Sequence, residues 1–181
     1  MNYNEKVFER QYPVVVFFVQ HLAYYRGLRA NYNTTTKKNQ EFWRATCDAN
    51  LKLATVAWCN VFGTYGEDIH WTKTSIPRVA VQARKKFREL VLAHTGLTRK
   101  QWKTYHQKLL TFRNKYVAHL DPHHPFNKPV PFFDAALQVA CAYQEWAIDL
   151  IRPVALNQPT LISLYEKWEA EARSIMACPR S

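Results

Sequence analysis

Two side chains in the run Arg113-Asn114-Lys115-Tyr116-Val117-Ala118-His119 could act together on a phosphodiester. A guanidinium carries a permanent charge in a planar fork that matches two phosphate oxygens. An imidazole takes up or gives up a proton near neutral pH. On a helical wheel at about 100° per residue, Trp102, Tyr105, Leu109, Phe112, Tyr116 and Leu120 form an apolar stripe. Arg113 falls inside that stripe, and His119 falls on its flank beside Lys108 and Lys115. A charge in that position needs a counter-group or an opening, because leaving it desolvated and alone is costly. Straight-helix spacing also separates Arg113 from His119 by about 120°. Their convergence takes the long reach of arginine, a local helix distortion, or the pairing of two chains. The last also accounts for an arginine among apolar neighbours, and it is the arrangement we expect.

The charge distribution points to the partner. The chain has 25 Lys and Arg against 14 Asp and Glu, a net charge of +11. Between Arg78 and Lys115 stand eleven basic residues and a single acid, Glu89, so this stretch carries +10 of that total. Solvation alone normally mixes the signs. Two consecutive helices of one sign suit a phosphate-binding surface. Lys85, Lys86, Arg88, Lys108 and Lys115 are the candidate RNA-binding residues. Trp102 and Tyr105 lie among these cations, where aromatic rings can stack bases, but their spacing assigns them to the core. No helix-turn-helix signature favours duplex DNA.

Other chemistries have less material. His119, His123 and His124 follow no standard metal-ligand spacing, and no metal site is expected. Four glycines leave little for a phosphate loop, and no cofactor is expected. Cys47, Cys59, Cys141 and Cys178 are scattered, without a CxxC pair, and read as free thiols of a reducing cytoplasm. The most apolar run, Val14 to Val19, is far short of the roughly 20 residues of a membrane span. The amino-terminal residues carry no secretory pattern.

The elements that must position these groups are helical. Apolar residues recur at helical spacing, and no stretch alternates long enough for a half-buried strand. A first helix is predicted over about Tyr12 to Asn31, with Pro13 in its first turn. A second covers about Gln40 to Phe62, with Trp43, Cys47, Asn50, Ala54, Ala57, Trp58 and Val61 as its stripe. The loop from Thr64 to Ile76 holds Glu67, Asp68, His70 and Trp71, and its Asp68 and His70, with His123 and His124, are the reserve candidates for chemistry. Ser75 is placed as the cap of a third helix that Gly96 stops. Thr98 to Gln101 has capping-box form for a fourth helix running to about His119. Pro122, Pro125, Pro129 and Pro131 then impose a stiff loop. Two further helices follow, about Phe133 to Ile151 and Thr160 to Met176. The expected architecture is all-α: five to six antiparallel helices in a single domain spanning residues 1–181.

In that setting the string Phe112-Arg113-Asn114-Lys115-Tyr116-Val117-Ala118-His119-Leu120-Asp121 resembles the R-x(4–6)-H motif of HEPN-domain ribonucleases. The resemblance includes the polar residue after the arginine, the small residue before the histidine, and the late position in an all-helical chain. It is most similar to the HEPN proteins of bacterial toxin–antitoxin and abortive-infection systems. It is sharp over about Gln107 to Asp121 and architectural elsewhere.

The resemblance implies a metal-independent endoribonuclease whose two protomers bring their motifs into one cleft. His119 then serves proton transfer for attack of a ribose 2′-hydroxyl on the adjacent phosphate. Arg113 clamps that phosphate, and Asn114 orients the pair. It also implies RNA as substrate, a homodimer, a possible antitoxin or defence-system partner, and no membrane. The alternative is a non-catalytic helical module of the same kind, binding RNA, a nucleotide or a protein partner.

Overall fold

The computed structural model describes residues 3–30, 39–118, 130–151 and 159–177. Among the described residues there are six α-helices and no strand: α1 (Glu5–Ala30), α2 (Gln40–Phe62), α3 (Ala80–Thr95), α4 (Arg99–Phe112), α5 (Asp134–Ile151) and α6 (Leu161–Ala177). The all-α bundle is therefore the architecture.

α1 and α2 run antiparallel. His21 Nδ1 meets Asn50 Oδ1 at 2.7 Å near their middles. Phe18, Leu22, Leu51, Ala54 and Trp58 are almost fully buried on their facing stripes. α6 packs along α1 at Gly27, where a Cβ atom would come within 2.6 Å of Ala172 Cβ and of the Glu169 carbonyl. Only glycine allows that approach. α3 lies against α5 through Phe87, whose ring touches Trp71, Tyr143 and Trp146, and the Trp146 indole donates to the Ala83 carbonyl at 2.9 Å. α4 runs antiparallel to α2, with Trp58 beside Trp102 and His106, and Lys52 over the Tyr116 ring.

Two helix starts differ from the sequence expectation. α1 begins at Glu5, so Pro13 stands inside the helix rather than in its first turn. Asn4 Oδ1 accepts the Val7 N–H, and the rings of Tyr3, Phe8 and Tyr12 pack in succession, which extends the helix towards its start. Pro13 and Glu9 are both exposed, so the carbonyl that proline leaves without its helical partner faces water. α3 begins at Ala80 after a turn over residues 76–79, and Ser75 does not cap it. Ser75 is buried and bridges to Tyr3 instead, and its hydroxyl has no partner.

Other local signals hold. α2 has the expected bounds. Gly96 ends α3 in the left-handed region at φ 66°. Thr98 and Gln101 form the complete capping box of α4. α4 then changes pitch: Arg113–Ala118 is a π-helical turn, so straight-helix angles no longer apply beyond Phe112. Among the described residues Cys47, Cys59 and Cys141 are free thiols, and no helix is long and apolar enough to cross a membrane.

Candidate nucleic-acid interface

α4 organises the site. Arg99, Trp102, Lys103 and His106 recur at spacings of three and four, so they share one helix face. Leu110 and Arg113 continue the same row, with Arg113 two turns beyond His106, about 10 Å along the axis. The connection between α2 and α3 faces this row. It is anchored in the core by Gln11, whose Nε2 donates to the Ile69 carbonyl at 2.8 Å. Gln11 Oε1 accepts from the hydroxyls of Thr74 and Tyr143. The Asn4 N–H holds the Thr74 carbonyl at 2.7 Å.

At its amino-terminal end, α4 forms one wall of a cavity of about 680 Å³. Phe62, Trp71 and Phe87 supply buried aromatic surface, and Trp102 and Tyr65 add half-buried and exposed rings. Lys85, Arg88, Arg99 and Lys103 also line it, with Glu89 as its one acid. Glu89 lies 3.9 Å from Lys85. Arg88, Arg99 and Lys103 make no ion pair among the described residues.

Two histidines line the same cavity. His70 caps the short 3₁₀ turn Trp71–Lys73, its Nδ1 accepting the Thr72 N–H and lying 2.7 Å from the Thr72 hydroxyl. The proton of the neutral ring therefore sits on Nε2. Burial, followed by electrostatic contributions from His106, Lys73 and Arg84, lowers the His70 pKa to about 4. His106 lies against Trp58 and Trp102, 2.8 Å from the Phe62 carbonyl at the end of α2. A carbonyl only accepts, so His106 Nε2 carries the proton, and the neutral ring keeps an acceptor at Nδ1.

At the other end of α4, Arg113 is a quarter exposed and held on both arms. Its Nη2 donates to Glu67 Oε1 at 2.8 Å, and its Nη1 donates to Asn114 Oδ1 at 3.0 Å. The counter-group that the apolar stripe demands is thus a carboxylate of the same chain, 46 residues earlier. The thiol of Cys59 lies nearby. Burial pushes its pKa up to about 12, with Arg113 pulling down and Glu67 pushing up. The guanidinium is held in place by acceptors on two sides.

The sequence-derived candidates divide accordingly. Arg113 and Asn114 are hydrogen-bonded to each other, and His119 lies outside the described residues, as do His123 and His124. Lys85 and Arg88 line the cavity. Lys86 pairs with Asp149 on α5. Lys108 and Lys115 are exposed and outside the cavity lining. Tyr105 packs as expected, accepting the Ala136 N–H and donating to the Phe132 carbonyl. Trp102 is half-buried and reaches the cavity. Sequence reasoning did not single out Arg99, Lys103 or His106, although their spacing around Trp102 was visible.

Among the described residues no group of three His, Cys, Asp or Glu side chains could hold a metal ion. Comparison of the chain with family models, curated proteins and solved structures gives no match.

Proposed function

We propose that this protein is a metal-independent endoribonuclease that cleaves RNA by attack of a ribose 2′-hydroxyl on the adjacent phosphate. The observation that carries this reading is the placement of Arg113. Its guanidinium is fixed by Glu67 and Asn114 at a π-helical turn, and the same helix face carries unpaired cations. A positioned guanidinium can hold a phosphate and stabilise the charge that develops on its oxygens. In the proposed reaction His119 handles the proton. The 2′-oxygen bonds to phosphorus, the 5′-oxygen leaves with a proton, and the products carry 2′,3′-cyclic phosphate and 5′-hydroxyl ends.

The enzyme acts as a homodimer with both Arg113/His119 pairs in one cleft, in a cytoplasmic defence or toxin–antitoxin setting. The second reading, a non-catalytic RNA-binding module, is favoured by one feature: both Nη groups of Arg113 are already engaged within the chain. Incubation of purified protein with RNA in EDTA, followed by analysis of product ends, separates the two. Cyclic phosphate ends in EDTA support the enzyme. Intact RNA, or cleavage that needs a metal and leaves 5′-phosphates, overturns it.

A further inference from the structure

We propose that the cavity between α3, α4 and the α2–α3 connection is a nucleotide-binding site, seating a base among its aromatic walls and a phosphate on Arg88, Arg99 and Lys103. This goes beyond the cleavage reading and rests on it only for the source of the nucleotide, a unit of an RNA strand.

Three independent observations converge. The first is shape. At about 680 Å³ the cavity falls within the range of small-molecule sites, and it opens beside Tyr65, which is 66% exposed although aromatic. Tyr65 and Trp102 offer flat faces that bases stack on.

The second is charge. Arg88, Arg99 and Lys103 converge on one opening without a carboxylate partner among the described residues. Elsewhere the same two helices place Lys86 beside Asp149, His94 beside Glu145 and Arg113 beside Glu67. Lys100, Lys108 and Lys115 also lack an ion pair among the described residues, but they stand exposed outside the cavity, whereas three unpaired cations gathered around one concavity mark an anion's seat.

The third is hydrogen bonding. His70 presents an Nε2–H donor with no partner among the described residues. His106, held through its own Nε2, keeps Nδ1 as an acceptor when neutral. A donor and an acceptor in an aromatic-walled cavity suit the edge of a nucleobase. An acidic peptide would satisfy the cations but leave the aromatic walls and both imidazoles unused.

The test is a titration of the full chain with adenosine 5′-monophosphate and, separately, with a short fluorescein-labelled oligoadenylate. Tryptophan fluorescence and anisotropy are read at low and near-physiological salt. Both probes should bind. Arg99→Ala with Lys103→Ala should weaken both by about tenfold or more, whereas Lys86→Ala with Lys108→Ala, an equal loss of charge outside the cavity, should leave the mononucleotide within about twofold.

Trp102→Leu should lose about tenfold, and Trp102→Phe, which keeps a stacking face, should stay within about threefold. Circular dichroism confirms that each variant is folded. Tighter binding of the oligoadenylate, with displacement of the mononucleotide, assigns the site to RNA. Mononucleotide binding that the oligoadenylate does not displace assigns it to a free nucleotide.

Neither probe binding, equal effects of the two double variants, or displacement by polyglutamate as effective as by oligoadenylate overturns the proposal. Cleavage is not read in this assay. Intact nucleotide binding with no nuclease activity breaks the proposed reaction and leaves the cavity assignment standing. Intact cleavage with no nucleotide binding does the reverse.

Discussion

The two ends of α4 carry the same kinds of side chain in opposite states. At the amino-terminal end, Arg99 and Lys103 face a cavity and have no ionic partner among the described residues. At the carboxyl-terminal end, Arg113 is clasped by Glu67 and Asn114 where the helix widens into a π-turn. An unpaired cation keeps its attraction for an incoming anion and remains conformationally free. A paired arginine gives up some of that attraction and gains a fixed orientation. The first state suits binding, and the second suits work on a single phosphate. On the proposed reading, affinity belongs to one end of the helix and chemistry to the other.

The largest effect expected is at the clasped end. Arg113→Ala should lower cleavage by about 10²–10³, the usual loss when one charge-stabilising donor is removed. Arg113→Lys should not rescue it, because a point charge cannot bridge Glu67, Asn114 and a phosphate as a planar fork can. Single-turnover rates at saturating RNA measure both. Full activity in Arg113→Lys would show that only charge matters there and would erase the distinction between the two ends.

The next concerns the cavity end, where a neutral imidazole sits among cations. Burial lowers the His70 pKa from the ordinary 6.5 of the unfolded chain to about 4 in the fold. Between those values the unfolded chain binds more protons. The stabilisation is fully present above about pH 6.5 and is lost as pH falls towards 4, with about 3 kcal/mol at stake. Asparagine at this position can still accept the Thr72 N–H as a cap. Denaturant unfolding of His70→Asn should therefore show a shallower loss of stability across that window. An unchanged pH profile would mean that His70 is not the group held neutral.

Salt dependence gives a smaller, graded effect. For single-stranded RNA each phosphate contact contributes about 0.7 to the slope of log affinity against log salt. Removing Arg99 and Lys103 should flatten that slope by about twice as much, whereas Lys86→Ala, taken from a residue already paired with Asp149, should change it little. Equal flattening would make the interface a diffuse basic surface.

The smallest effect is on stability at Glu67. Its pair with Arg113 is partly exposed, so Glu67→Gln should cost about 1 kcal/mol or less in unfolding experiments. The same variant should change cleavage more than stability, because it loosens the orientation of Arg113. A large stability loss with unaltered cleavage would make the pair purely structural.

How much of this was legible in the sequence follows the range of each interaction. The bounds of α2, the Thr98/Gln101 capping box and the Gly96 stop are local, written in residues within one turn of each other. Pro13 misled because helix starts are also local readings. The extension back to Glu5 depends on Tyr3, Phe8 and Tyr12 packing together and on contacts with Thr74 and Ser75, far along the chain. Arg113 was legible as an anomaly, a charge in an apolar stripe. Its answer, Glu67, lies 46 residues away in a loop noted only for its polar content. The cavity was hidden for the same reason: its walls come from α2, α3, α4, α5 and the α2–α3 connection. Arg99, Trp102, Lys103 and His106 gave a local clue, since their row is too polar for a core and too aromatic for plain solvent.

The division of labour along α4 is tested most directly by one paired measurement. RNA affinity and the saturating single-turnover cleavage rate are determined in EDTA for wild type, Arg113→Ala, His119→Ala and the Arg99→Ala/Lys103→Ala double variant. The account predicts that His119→Ala and Arg113→Ala lose about 10²–10⁴ in rate with affinity within about threefold of wild type. It predicts that the double variant loses about tenfold or more in affinity while its saturating rate is retained. Cleavage that survives His119→Ala, or a double variant that loses rate and keeps its affinity, would contradict it.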